Sequence, residues 1–268
     1  MRPLTSTGIP VLMYHGISSG PLPAGSHRVH VNQRAFKAQM GWLYEQGYRS
    51  VPLTDLLSDN KREKVFAITF DDGFKSQIEI AAPILSDYGF SATAFIATDW
   101  LSKKSKATFL AVDMLPSDAI LNWNDARDLL KLDWDIASHT ASHIDCSVAS
   151  SCELLDELTR SKEAITAELG SAPQSFAFPF GKYNKAAIRQ VKQLYPLAFS
   201  VHTGLSGIDK AYRHREHRIE INSYDTMQTF KQKILTGYAN PSEKLRAKLR
   251  DQLYSSLTIK DTISLLAK

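Results

Sequence analysis

From Val11 to Thr236, short apolar runs rich in β-formers alternate with longer amphipathic stretches. This alternation is the strongest constraint on the fold. Strands separated by helices run parallel, because each crossover helix returns the chain to the same end of the sheet. A parallel sheet is covered on both faces, so the class is α/β, as an open sheet or a barrel. The candidate strands are Val11–His15, Val65–Phe70, Thr93–Ala97, Trp134–Ser138, Phe176–Phe178, Leu197–Val201 and Arg218–Ile221. The candidate helices are Asn32–Gln46, Gln77–Tyr88, Asn124–Lys131, Ser151–Leu169, Lys185–Leu194, Thr226–Thr236 and Glu243–Leu253. Gly89 and Gly170 supply helix stops. The polar stretches Lys103–Asp118 and Ser206–His217 read as loops. In either architecture ligands gather at the carboxyl ends of strands, so a motif that carries chemistry belongs just after an apolar run.

Composition narrows the partners. The 268 residues support one sizeable core. A net charge of +4, with no long basic run, gives no nucleic-acid footprint, and no nucleic-acid partner is expected. No apolar run approaches the ~18 residues of a membrane span. Met1–Gly8 lacks the apolar centre of a secretory signal, which predicts a cytoplasmic protein. Cys146 and Cys152 form neither a metal-type CxxC pair nor a disulfide framework, so both read as free thiols.

Four strand ends carry candidate chemistry. Thr69-Phe70-Asp71-Asp72-Gly73 follows Val65–Ile68. Two adjacent buried carboxylates repel each other unless a cation holds one ionised, which frees the neighbour to act as a base. The alternative is an N-cap for the next helix. Ser138-His139-Thr140-Ala141-Ser142-His143 follows Trp134-Asp135-Ile136-Ala137, and histidines at i and i+4 on a helical turn face one metal ion. The alternative is an ordinary surface pair. Asp72, His139 and His143 together resemble the open site of a catalytic metal. Phe178-Pro179-Phe180-Gly181-Lys182-Tyr183-Asn184 reads as a loop whose aromatic rings suit the apolar face of a sugar, or as a plain Pro-Gly turn. Val11–His15 ends on a histidine that either faces the same mouth or sits satisfied in the core.

Thr-Phe-Asp-Asp-Gly, His-Thr-x-x-His and Phe-Pro-Phe-Gly, in this order, resemble the polysaccharide deacetylases of the NodB-homology type, carbohydrate esterase family 4. The resemblance runs from about Val11 to about Ile221. It implies a distorted (β/α) barrel in a single domain, with residues 1–238 catalytic and 239–268 a C-terminal helical extension. It implies that Asp71 is the general base, that Asp72, His139 and His143 bind one divalent metal ion, and that the Phe180 backbone N–H holds the oxyanion, with Tyr183 beside the substrate. Two histidines and an aspartate suit Zn2+, and Co2+, Ni2+ or Fe2+ also fit. The substrate implied is an N-acetylated saccharide.

Two features depart from the usual family pattern. The last residues, Ile263–Lys268, lack the Leu-x-His motif that carries the general acid. Met13-Tyr14-His15 resembles instead a permuted branch that includes the poly-β-1,6-N-acetylglucosamine deacetylases, which makes His15 the acid, with His202 as its rival. Ser175–Gly181 also lacks the arginine that orients the base. Arg218 is the substitute, with Arg213 and Arg215 as alternatives and a surface role for all three equally open. His27, His30, His214 and His217 take a surface reading. Beside N-deacetylation stand two further readings: an amidohydrolase acting on a small cyclic amide or imide, and a non-catalytic saccharide-binding relative.

Overall fold

A computed structural model describes residues 8–22, 29–57, 64–104, 119–207, 213–247 and 249. In chain order the elements are β1 (Val11–Tyr14), β2 (Gly16–Ser18), β3 (His30–Asn32), α1 (Gln33–Glu45), β4 (Arg49–Ser50), a 3-10 turn (Leu53–Leu57) and β5 (Val65–Phe70). A π-helical turn (Gln77–Ala81) then runs into α2 (Ala82–Asp87), followed by β6 (Thr93–Ile96), α3 (Thr98–Leu101), α4 (Trp123–Lys131) and β7 (Asp135–Ser138). The chain continues with α5 (Ser151–Leu169), β8 (Ser175–Ala177), a 3-10 turn (Pro179–Gly181), α6 (Lys185–Leu194), β9 (Leu197–Phe199), β10 (Ile219–Glu220) and α7 (Met227–Thr236). Residues 241–247 are helical. Apart from Leu249, the remainder of the expected Glu243–Leu253 helix lies outside the described residues, as do most of the Lys103–Asp118 loop and part of Ser206–His217.

The main sheet is eight-stranded and parallel, in the order β10-β1-β5-β6-β7-β8-β9, with β4 paired to β5 off that path. It curls until its ends meet. Ser200 N–H donates to the Glu216 carbonyl at 2.9 Å, and Arg218 N–H donates to that of His202 at 3.0 Å, so the residues after β9 are laced to those before β10. The result is a distorted (β/α) barrel.

Both faces of the strands are buried, which is why they read as continuous apolar runs without a period of two. The inner face presents Val11, Ala67, Phe95, Ala137, Ala177 and Phe199, so small alanines leave room for two phenylalanine rings. Leu53 and Leu56 of the first 3-10 turn join this inner cluster. The outer face presents Leu12, Tyr14, Phe66, Ile68, Phe70, Ala94 and Ile136 to the surrounding helices. α1 packs Phe36, Met40 and Leu43 into that layer and starts on an Asn32 side chain that accepts from Arg34 N–H. α5 starts on a capping box between Ser150 and Glu153 and ends on Gly170 in the left-handed region, φ 79°. No helix among the described residues is long and apolar enough to cross a membrane.

The short parallel pair β2–β3 was not expected from the sequence. It forms because Gly16 admits a close neighbour: a Cβ there would meet the His30 ring at 2.4 Å. The surface reading of His30 is therefore corrected. Its ring is fully buried against Gly16 and lies edge-on to Phe74 at 5.2 Å.

Candidate active site

Residues 67, 69 and 71 share the inner face of β5 and its continuation, because successive strand residues alternate sides. That register aims Asp71 into the carboxyl-end mouth of the barrel. Its backbone N–H donates to the Tyr14 carbonyl at 2.9 Å, continuing the β1–β5 pairing by one residue. The chain then breaks sharply, with φ 69° at Asp72 and 70° at Gly73. Aspartate tolerates this left-handed region better than most residues, and glycine enters it without penalty. Asp72 thereby turns away from its neighbour toward the end of β7. The N-cap alternative does not hold here, since Ser76 precedes the next helical turn.

Arg218 is fully buried and grips Asp71 with both arms, Nη1 to Oδ1 at 2.6 Å and Nη2 to Oδ2 at 2.7 Å. Its Nε donates to the Ser200 carbonyl at 3.0 Å, and its guanidinium lies over the Phe95 ring at 5.4 Å. Burial opposes the Asp71 charge, but Arg218 first, and His139 and His15 after it, hold the pKa below the usual carboxylate value. Of the three candidate arginines, Arg218 forms this pair. Arg213 lends its backbone carbonyl to Ala198 N–H.

Asp72 Oδ1 lies 3.1 Å from His143 Nε2 and 3.6 Å from His139 Nε2. One donor atom from each of the three side chains falls within a mutual span of 4.8 Å, and all three residues are buried. The donor set fits a divalent cation. His139 Nδ1 is engaged by the Ala177 carbonyl at 2.8 Å, which leaves Nε2 to face the centre with its lone pair. Burial, then the nearby His143, pushes the His139 pKa down to about 4, so the imidazole is neutral at neutral pH, as a metal ligand must be.

The expected helical turn between the two histidines is corrected. Residues 139–143 are non-helical, with φ 63° at Thr140 and 64° at His143. The amide protons of Ala141 and Ser142 go to the Glu157 carboxylate instead of to helical carbonyls, and the His143 amide goes to the Thr140 hydroxyl at 2.9 Å. The chain doubles back, and the two imidazole centroids come to 4.7 Å. His143 is further held by Trp100, stacked at 5.1 Å, and by the edge-on Phe180 ring at 4.7 Å.

The Phe178–Asn184 loop divides its aromatics. Phe178 is fully buried, whereas Phe180 is 48% exposed at the mouth. Phe180 sits at φ 57° and Gly181 at φ 64°. Tyr183 packs on Phe178 at 4.9 Å and on His202 at 5.8 Å, and His202 lies 6.2 Å from His217. His217 and His214 are half-buried, the latter with Nε2 on the Tyr195 carbonyl. A Cβ on Gly181 would meet Val201 at 2.1 Å, and its φ is already unfavourable for any other residue. Gly181→Ala should therefore cost about 2–3 kcal/mol, read as a lowered urea midpoint with an unchanged slope.

Two positioning groups had no sequence signal of their own. Gln77 is fully buried, and its Nε2 donates to the Asp71 carbonyl at 2.8 Å and lies 3.5 Å from that of His15. Its π-helical turn ties the two strand ends that carry Asp71 and His15. The other is Glu157 on α5. Cys146 and Cys152 are free thiols; burial first, then Asp145 and Glu157, pushes the buried Cys146 thiol up to about 12.

Fold and site together define a parallel α/β-barrel protein with an open Asp–His–His centre beside an arginine-held carboxylate. The polysaccharide deacetylase family model matches residues 58–196, and the chain belongs to that family. The matched span includes Asp71, Asp72, His139, His143 and Phe180, whereas His15, His202 and Arg218 lie outside it. The Bacillus subtilis protein YxkH, whose name places it among the polysaccharide deacetylases, is 25% identical over 80% of this chain and 71% of its own length. The poly-beta-1,6-N-acetyl-D-glucosamine N-deacetylase of Escherichia coli is 21% identical over 88% of this chain, which spans 40% of that relative. The Streptococcus pyogenes deacetylase PplD, solved with acetate, has the same fold, with a TM-score of 0.74, 24% identity and coverage of 85% of this chain and 98% of that one.

Proposed function

We propose that this chain hydrolyses the N-acetyl amide of an acetamido-saccharide of the N-acetylglucosamine type. Asp71 is the general base, His15 the general acid, and Asp72, His139 and His143 hold one divalent metal ion, zinc being the best fit to the donor set. One observation carries this reading: a buried carboxylate kept ionised by Arg218 stands next to a separate Asp–His–His donor set. A saccharide-binding protein has no need of a base beside a metal. The name of the E. coli relative supports the choice of sugar.

A bound divalent ion supplies Lewis-acid polarisation of the acetyl carbonyl and of an attacking water. The rest falls to the chain. Each Asp71 oxygen spends one lone pair on Arg218 and keeps another to accept the water's proton. The Phe180 N–H, in a loop that is left-handed at Phe180 and Gly181, is the donor for the oxyanion in this reading. His15 is, in this reading, the group that hands its proton to the departing amine. Gln77 Nε2, 2.8 Å from the Asp71 carbonyl and 3.5 Å from that of His15, holds these two residues at one rim of the barrel. The exposed Phe180 ring and Tyr183 offer flat apolar surface to a pyranose.

The test is acetate release from N-acetylglucosamine oligomers. Chelation should abolish it and added Zn2+ should restore it, whereas His139→Ala should bind metal at least ~100-fold more weakly and stay inactive. Saccharide binding without acetate, or ring opening of a cyclic imide in place of acetate release, would replace this reading.

A further inference from the structure

The loop that carries both candidate metal histidines is held by a carboxylate from a different element. Glu157 sits mid-way along α5 and is only 4% exposed. Its Oε2 accepts from Ala141 N–H at 3.0 Å and Ser142 N–H at 2.8 Å, and its Oε1 accepts from the Ser142 hydroxyl at 2.8 Å. Arg160 donates to the same Oε1 at 2.7 Å and bridges to Asp99 at 3.0 Å. Asp99 in turn lies in the first turn of α3, and its backbone N–H donates to the Ala141 carbonyl at 2.8 Å. The peptide units between His139 and His143 are thus clamped on both sides, by α5 through Glu157 and by α3 through its backbone.

This arrangement answers a physical problem. A loop with two non-glycine residues in the left-handed region persists only where its surroundings over-determine it. Amides pointing into the interior also need acceptors. An ionised carboxylate supplies two oxygens at once and bonds more strongly than a neutral acceptor.

We infer that Glu157 is a positioning residue for the metal pair: by clamping Ala141 and Ser142 it sets the distance and aim of His139 and His143, and so the metal affinity. This inference rests on reading Asp72, His139 and His143 as a metal site. Glutamine at 157 keeps the shape, but whichever way its amide is turned it presents an NH2 group to donors, either to Arg160 and the Ser142 hydroxyl or to the two loop amides. Alanine removes the clamp entirely.

The experiment titrates Zn2+, in competition with a chromophoric chelator, into metal-free wild type, Glu157→Gln, Glu157→Ala and Asp72→Ala. Circular dichroism of each metal-free protein confirms folding, and Co2+ absorption spectra report ligand geometry. The expected rise in Kd is about 10-fold for Glu157→Gln and up to about 100-fold for Glu157→Ala, with an altered Co2+ spectrum. If Glu157→Ala does not fold, Glu157→Gln decides alone. Folded Glu157 variants with wild-type Kd and an unchanged Co2+ spectrum overturn the inference, leaving the metal reading intact. A wild type that binds no more metal than Asp72→Ala overturns both.

Discussion

Asp71→Asn should bind metal at close to wild-type affinity and lose about 10²- to 10⁴-fold in kcat, the usual contribution of a positioned general base. The substitution is nearly isosteric, and Asp72, His139 and His143 keep their donor atoms. Two things change. The proposed acceptor of the water's proton disappears, and the buried Arg218 charge loses its counter-ion. Asparagine offers one oxygen to a guanidinium that had two, and its NH2 group faces a donor. A fall in thermal midpoint should therefore accompany the lost turnover. The two effects are separable, because unfolding changes both metal binding and activity, whereas loss of the base changes kcat alone. Acetate release measured against metal titration in one preparation decides it. Near-normal turnover with metal bound would remove Asp71 from the mechanism and point to another proton acceptor at the barrel mouth.

The parts of this site that were legible in the sequence lie at strand ends. Asp71, Asp72, His139 and His143 each follow an apolar run, and a parallel barrel collects such positions at one rim whatever the details of its loops. The limits of α5 and α6 and the position of β5 were legible too, because capping residues and unbroken apolar runs are local signals. The local geometry of the histidine loop was not. A spacing of four suits a helical turn, but the acceptor that takes the loop's amides is Glu157, distant in sequence. Glu157 itself reads as one more acid on an amphipathic helix. Arg218, opening a late strand, was the preferred of three candidate arginines with a surface role equally open, until barrel closure placed it 2.6 Å from Asp71. His30 looked like a surface residue because its burial depends on the missing side chain of Gly16.

Arg218→Met should be the most destabilising single change at the site, by about 3–5 kcal/mol at neutral pH, because it leaves Asp71 charged, buried and without its partner. The expected pH dependence gives the claim its edge. In the wild type the folded-state pKa of Asp71 lies below its unfolded value. The pair's contribution is therefore present above the unfolded carboxylate pKa and is lost as pH falls through the folded one. With Arg218 gone, burial, already the largest influence on Asp71, acts with much less opposition and drives its pKa upward. The variant then takes up a proton on folding, so its deficit should shrink as pH is lowered toward the carboxylate range. Denaturant midpoints of the metal-free proteins across pH 4 to 8 would show wild type and variant converging at the acid end. The acid limb of kcat/KM should move to higher pH in the variant, because its base stays protonated longer. Arg218→Lys should recover only part of either effect, since an ammonium cannot bond both oxygens in the plane of the carboxylate. A deficit independent of pH would mean that Arg218 acts through packing on Phe95 rather than through its charge.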